Sequence, residues 1–498
     1  MTSTALLSSS LVLQPIKPCK PFLPRNPRIP RPLFPLCSAE PKHLTKGGGG
    51  GRRSPVDGGR RSPRRGPHGT SRRSAIKKSF AQEQVVFTTP VARDPAVAII
   101  GGGVAGLVCA LTLEERGIRS TVFDTGMHGL GGRMATRIID SRTCIFDHAA
   151  QFFTVSDLRF QKLVDRWLEK GLVREWKGLL VELEAGGHAS PVPYSASRYV
   201  GMKGMRSLMD SIISQVICCY TQSRMANIVR PCWISKLEPF NGTWRLAEQE
   251  KPHGQFDAVV IAHNGKCANR LLSSSGLPQL TKQMKVAAAP PQMNLVKYSF
   301  EDPLPISQNR DFEGAFVKGV DSLSWMSNNT SKLFPLESDL PQCWTFFSTA
   351  AYGKRNKVPQ ENIPSATAEK VKDDILEGVE SALGLSKGSL QKPFYTRVQL
   401  WGAALPTNSP EIPCIFDPNG RAGICGDWLL GSSVEAAALS GMSLAHHMAD
   451  YFQSGGTQPD EFAIGLNNPF HAIAGHDIGQ FPGLKSGEQV EPEACPAL

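Results

Sequence analysis

The tightest constraint on this chain is the run Gly101-Gly102-Gly103-Val104-Ala105-Gly106, set between a short apolar stretch and a segment of helical spacing. Residues 95–100, Pro-Ala-Val-Ala-Ile-Ile, have the length and β-branched content of a buried parallel strand. Residues 104–116 carry apolar side chains at helical spacing and stop at Gly117, a natural C-terminal cap. Residues 119–123 read as a second strand ending at Asp124, which completes a β-α-β unit. In that setting the glycines predict a dinucleotide site. Gly101 permits a tight turn, Gly103 lets backbone N–H groups approach a pyrophosphate, and Gly106 allows close helix packing. Val104 and Ala105 open the helix whose N-terminus faces the phosphates, and Asp124 is placed to accept from ribose hydroxyls.

Two further segments favour FAD over NAD. Residues 129–136 form a second Gly-rich loop containing Gly132, Arg133 and Met134, close enough in sequence to fold back over the same pyrophosphate. NAD-only domains normally lack this element. Near the C-terminus, Gly426-Asp427 ends a short strand, and the helix starting near Val434 can aim its positive end at an electron-rich flavin edge.

Charge and cysteine content narrow the alternatives. The formal net charge is +11, but residues 1–80 hold 17 Lys+Arg and only two acids, leaving 38 basic against 42 acidic residues in the remainder. A nucleic-acid-binding body is therefore rejected. Residues 1–80 are Ser/Thr-, Pro- and Arg-rich and acid-poor, the composition of a transit peptide, with a retained RNA-binding arm as the competing reading. The hydroxylated opening without an early amphipathic basic helix points to a chloroplast (plastid) destination, with the mitochondrion as the alternative. Twelve cysteines with no CxxC pair fit a reducing compartment. Residues 96–113 lack charge for 18 positions, yet four glycines and the acids Glu114 and Glu115 argue against a membrane span, so no transmembrane segment is expected. His446 and His447 are adjacent rather than four apart, and no metal is expected.

The remaining pattern completes an α/β fold. Helices are expected over 158–169 and 206–218, and a meander over 226–262 returning to the first sheet through the Asn241-Gly242 turn. Residues 292–351 are rich in strand formers, and 434–451 make a long helix. The expected organisation is a leader at 1–80, a discontinuous FAD-binding domain at 95–155, 220–265 and 397–453, a substrate domain at 156–219 and 266–396, and a tail at 454–498.

With these motifs in order, together with residues 146–154, 201–205, 256–262 and 401–406, the chain resembles a renalase-type NAD(P)/FAD-dependent oxidoreductase of the flavin-containing amine-oxidase superfamily, over residues 95–451. The resemblance implies a p-hydroxybenzoate-hydroxylase-like architecture: a Rossmann-like FAD-binding domain of the GR2 type beside an α+β substrate domain, with FAD held noncovalently. It assigns Gly101, Gly103, Gly106, Asp124 and Arg133 to the ADP half, Ile234 to the adenine, Asp427 to the ribityl-pyrophosphate region and Val434 to the ring. Asp124 replaces the family's usual glutamate, Ala149 its usual glycine, and Ser432-Ser433 its small-residue run.

Flavin N5 accepts the hydride itself, so a side-chain base is optional. His148 and Gln151 are the candidates for substrate or flavin-edge contact, and Trp401 and Trp428 the candidates for walling the ring pocket. The expected activity is oxidation of a small reduced substrate, an amine or a reduced nicotinamide such as NAD(P)H, with oxygen or a quinone as final acceptor. A flavin-binding organellar assembly protein without turnover is the reading from another class.

Overall fold

The computed structural model describes residues 83–127, 129–139, 144–193, 196–218, 226–263, 265–287, 293–306, 312–337, 339–359, 362–402, 404–456 and 459–473. The leader at 1–80 and the tail beyond 473 lie outside them. Residues 71–498 group as one compact unit.

Its first layer is a six-stranded sheet in the order 415–417, 422–424, 258–261, β1 (Ala96–Ile100), β2 (Arg119–Phe123), 226–229. Only the 415–417 strand runs antiparallel to its neighbour. β1 and Ala258–Ile261 are apolar along their whole length, as strands covered on both faces must be. Between β1 and β2 runs α1 (Val104–Glu115), buried from Val104 to Leu113. It ends where Gly117, at φ +74°, donates to Glu114 O while Ile118 donates to Leu113 O.

Three departures from the sequence reading share a cause. Helices Leu158–Glu169 and Arg206–Cys218, expected in the second domain, set Phe160, Leu163, Trp167, Leu208, Met209 and Ile212 into the core around α1. Helices Gly265–Leu272 and Pro278–Val286 cover the opposite face through Leu271, Leu272, Leu280 and Met284. A parallel sheet needs both faces covered, and these apolar stripes supply the cover. Strands Lys236–Phe240, Thr243–Glu248 and Lys251–Phe256 form their own antiparallel sheet rather than returning to the first, so only Ala226–Val229 and Ala258–Ile261 of that region join it. The Asn241-Gly242 turn does close a hairpin, with φ of 49° and 78°.

The second layer is a seven-stranded sheet in the order 395–401, 293–300, 342–347, 325–328, 314–318, 180–184, 188–191. Tyr395–Trp401 pairs along Met293–Phe300, so it belongs here and not to the dinucleotide-binding layer assigned from position 397. The hairpin of Thr136–Ile139 and Cys144–Asp147 lies on this sheet, packing Cys144 and Phe146 against Cys343 and Tyr395. Among the described residues no helix is long and apolar enough to cross a membrane.

The C-terminal helix Val434–Gln453 crosses α1 at Gly441, where an added Cβ would lie 2.2 Å from Ala105 O and 3.0 Å from Cys109 N. Backbone atoms cannot yield as a flexible side chain does, so Gly441→Val is expected to destabilise the fold by about 3 kcal/mol. Chemical denaturation followed by far-UV circular dichroism measures it, and a wild-type midpoint would refute the close crossing.

Candidate dinucleotide and substrate site

The turn and packing glycines of the fingerprint sit in close backbone contact. Gly101 has φ +119°, and a Cβ there would lie 2.9 Å from the Ala262 carbonyl carbon and oxygen. At Gly106 a Cβ would lie 2.0 Å from Gly101 O, while at Gly103 it would meet nothing within 4 Å. The turn and packing glycines are thus filled from behind, and Gly103 looks onto open space. No side chain caps α1 and no acid sits in its first turn, so the N–H groups there, with Val104 and Ala105, remain available to an anion.

The second Gly-rich loop folds back onto the first. Gly131 N donates to Gly102 O at 2.8 Å, and Gly103 and Gly131 form a parallel bridge. Gly132 has φ +54°, and Met134 is buried against the α1 core. Asp124 accepts from Gly102 N and Gly126 N, each at 2.7 Å, so it ties the loop following β2 to the first one and keeps lone pairs for a sugar.

Arg133, assigned to the ADP half, contacts the C-terminal acidic turn. Its Nη2 donates to Asp427 Oδ1 at 2.5 Å, and Ser432 Oγ lies 3.3 Å from Asp427 Oδ2. The residue assigned to the ADP half and the one assigned to the ribityl-pyrophosphate region therefore meet in one ion pair, with Asp427 6% exposed. Gly426 N is fixed by Ser440 Oγ at 2.8 Å. Val434 starts the last helix beside them, but Ser433 caps it and Glu435 in its first turn binds Ser156 N at 2.7 Å, which offsets the positive end expected there. Ile234 packs in the core cluster with Ile100 and Phe123, next to Cys232, whose N–H donates to Asp124 O.

Of the substrate candidates, His148 lies in the loop beside Arg133, and Trp401 ends a strand of the second sheet opposite Met293. Ala149 N and Ala150 N donate to Arg133 O, holding the 147–151 loop against the second Gly-rich loop. His148 Nε2 is buried without a partner among the described residues, as is Trp401 Nε1. Burial, followed by Lys297, Arg397 and Arg137, lowers the His148 imidazole to about 3. Gln151 departs from expectation: its Nε2 donates to Asp147 O, and its carbonyl and side-chain oxygens accept from Lys332 Nζ. Its polar groups serve the scaffold. Trp428 also departs, being buried in the core on the far face of the sheet and stacked on Phe470 at 6.3 Å.

The sequence reading missed Lys297. It lies in the middle of Met293–Phe300, a strand buried at every position, and is itself fully buried. Its register partners are Arg397 and Thr345, and its Nζ lies 3.4 Å from Gln399 Oε1. Burial, with Arg397 and Arg137 next, pushes its ammonium down to about 7. The signal was a lysine within the apolar run Leu-Val-Lys-Tyr, which alternation alone treats as an outward position.

A second buried lysine has the opposite character. Lys332 Nζ lies 2.9 Å from Asp147 Oδ2, both groups being at most 1% exposed, and Asp147 Oδ1 also accepts from Thr136 Oγ1 and Met205 N. Elsewhere Cys232, Glu248 and His253 gather behind β2. His253 Nε2 stands 3.5 Å from Cys232 Sγ and 3.3 Å from Glu248 Oε2.

The sequence and structural comparisons agree with this layout. The family profile described as an NAD(P)-binding Rossmann-like domain matches residues 99–167. The fold matches an Exiguobacterium sp. 255-15 protein assigned as a protoporphyrinogen oxidase, with TM-score 0.53 and 12% identity over 72% of this chain and 99% of that one. It matches the cyclohexylamine oxidase of Brevibacterium oxydans IH-35A at 0.52 and 13%, covering 72% and 100%, and a redesigned putrescine oxidase at 0.51 and 12%, covering 71% and 99%. The chain has the fold of the flavin-containing amine oxidases. A curated relative, the carotenoid phi-ring synthase of Streptomyces griseus, is 39% identical over 79 residues, 15% of this chain and 14% of that one. The match therefore spans about a seventh of that relative's length.

Removing one partner of the buried pair leaves a charge without compensation. Lys332→Met is expected to cost about 3–5 kcal/mol in denaturant titrations near neutral pH. Lys332→Met with Asp147→Asn should recover part of that loss, and equal losses in the single and double variants would show that the pair's charge is not what matters.

Proposed function

We propose that this chain is an FAD-dependent oxidoreductase, renalase-like in its motifs, which oxidises a small amine or a reduced nicotinamide and passes the electrons to oxygen or a quinone. The observation that carries it is the meeting of three Gly-containing segments, one of them nearly three hundred residues from the others, around Arg133 and Asp427, beside His148 and the sheet strand bearing Lys297. One Rossmann loop serves any dinucleotide. A second loop folded onto it and a C-terminal acidic turn paired with it suit a longer, two-part cofactor.

The residues fit noncovalently held FAD. Gly103 presents an open cradle, the first turn of α1 offers N–H donors, and Asp124 retains acceptor capacity for ribose. Buried Trp401 Nε1 and His148 Nε2 await partners on the side facing the second sheet. A bound FAD supplies the hydride acceptor at N5. The chain's own part is to hold the donor against the sheet face, shed water and move a proton. Uncharged Lys297 can take a proton from a substrate ammonium, so that nitrogen's lone pair assists departure of the hydride from the neighbouring carbon. We further propose that residues 1–80 direct the chain to the plastid, with the mitochondrion as the alternative; their acid-poor, Ser/Arg-rich composition supports it.

The test is an anaerobic titration of the full chain with NADH, NADPH and representative amines, following the flavin band. Bleaching by one donor identifies the reductive half-reaction, a yellow protein that none reduces favours the assembly role, and a colourless protein that takes up no FAD refutes the reading. With an amine donor, the reduction rate should rise as pH passes through about 7, because the working form of Lys297 is the unprotonated one, present above that value. Lys297→Met should lose that limb and slow reduction by about 100-fold. An unchanged pH profile in Lys297→Met would remove the lysine from the proton path.

A further inference from the structure

We propose that the sheet face beside the dinucleotide loops binds a carboxylate-bearing substrate, with Arg397 and Arg137 as the anion-recognising pair. The inference takes the position of the substrate site from the reading above, and draws the ligand's charge from the side chains around it.

Strand register fixes one wall. Tyr395, Arg397, Gln399 and Trp401 alternate onto one face of their strand, opposite Ser299, Lys297, Leu295 and Met293. The hairpin supplies the other wall, because Arg137 Nε donates to Tyr395 Oη at 2.8 Å and His148 follows the hairpin's second strand. Arg137, Arg397, Lys297 and His148 thus gather in one place, each close enough for the two arginines to act on both the lysine and the imidazole.

These groups have no counter-charge of their own. Among the described residues no carboxylate forms an ion pair with Lys297, Arg137 or Arg397, and Asp147, the nearest acid to act on Lys297, is occupied by Lys332, Thr136 and Met205. Burial and mutual repulsion push Lys297 and His148 toward their unprotonated forms. Guanidinium groups keep their protons, and their planar donor fork matches a carboxylate. Two guanidiniums beside a buried lysine with no carboxylate paired to them are poorly arranged for a cationic diamine and well arranged for an anion.

The rest of the face describes the ligand's body. Beyond Lys297 the same surface turns apolar and aromatic at Leu295, Phe347 and Trp401, with Phe152 packed in that cluster. Arg397 is exposed and Arg137 half-buried, so the charged end of the ligand lies toward solvent and its apolar part inward, with Lys297 between them. A small carboxylate with an apolar or aromatic body fits that order.

The experiment uses the full chain with FAD supplied, and titrates benzoate and its uncharged isostere benzamide by calorimetry and by perturbation of the flavin band. Benzoate should bind at least about tenfold more tightly than benzamide. Arg397→Gln and Arg137→Gln should each weaken benzoate by about 10- to 100-fold and leave benzamide unchanged, the range of a lost charge-assisted hydrogen bond. Arg397→Lys should recover part of the loss. Equal binding of the two probes, no benzoate binding by folded protein, or benzoate binding that survives both arginine substitutions overturns the proposal. A colourless protein refutes the flavin reading instead, and calorimetry still decides the carboxylate proposal because it needs no chromophore.

Discussion

Two places where a side chain is missing hold the site together. At Gly106 the first helix comes against the turn that precedes it, and at Gly441 the C-terminal helix comes against the backbone of Ala105 and Cys109. Backbone-to-backbone approach of this kind exists only where no Cβ intervenes. It sets the last helix directly over α1, and the Gly426-Asp427 turn that feeds that helix is thereby carried to Arg133. Segments nearly three hundred residues apart become one binding surface through two absent methyl groups.

The second sheet is joined to that surface by a buried polar connection rather than by apolar packing alone. Asp147 ends the hairpin that springs from the second Gly-rich loop, and it draws in Lys332 from the second layer and Met205 N from the segment entering the helix Arg206–Cys218. Asn329 adds a bond to Asp147 N and another to Thr345 Oγ1. Such a network specifies one geometry, since any slip would leave charges buried and unpaired. Lys297 lies on the same sheet without such a partner, and burial beside Arg397 and Arg137 pushes its ammonium down to about 7. Two buried lysines on one scaffold thus stand in opposite surroundings: one is ion-paired to Asp147, and the other lies beside two arginines.

The dinucleotide half of the site was legible because its rules are local. Gly101, Gly103, Gly106 and Asp124 are set by a turn, a helix start and a strand end within some twenty-five residues, and Gly101 and Gly106 make the close backbone approaches that the turn and helix packing require. The Gly132-Arg133-Met134 loop was readable for the same reason. Gln151 and Trp428 were misread because residue type carried the inference: an amide and an indole suit a pocket, but their neighbours, Lys332 and Phe470, are brought by the fold. The helices at 158–169 and 206–218 have clear periodicity, yet which core their apolar stripes cover is not a property of the helices themselves.

The sequence by itself determined the β-α-β unit, the glycine turns, the helix ends and the basic leader composition, because steric limits on φ and hydrophobic periodicity act over a few residues. Tertiary structure alone decided that Arg133 meets Asp427, that Lys297 stands among arginines without an acid, and that Asp147 is spoken for by Lys332. Those outcomes depend on distances between segments remote in the chain and on the loss of water around them. Burial and proximity set the charge state and the free valence of a side chain, and neither is written in its immediate neighbours.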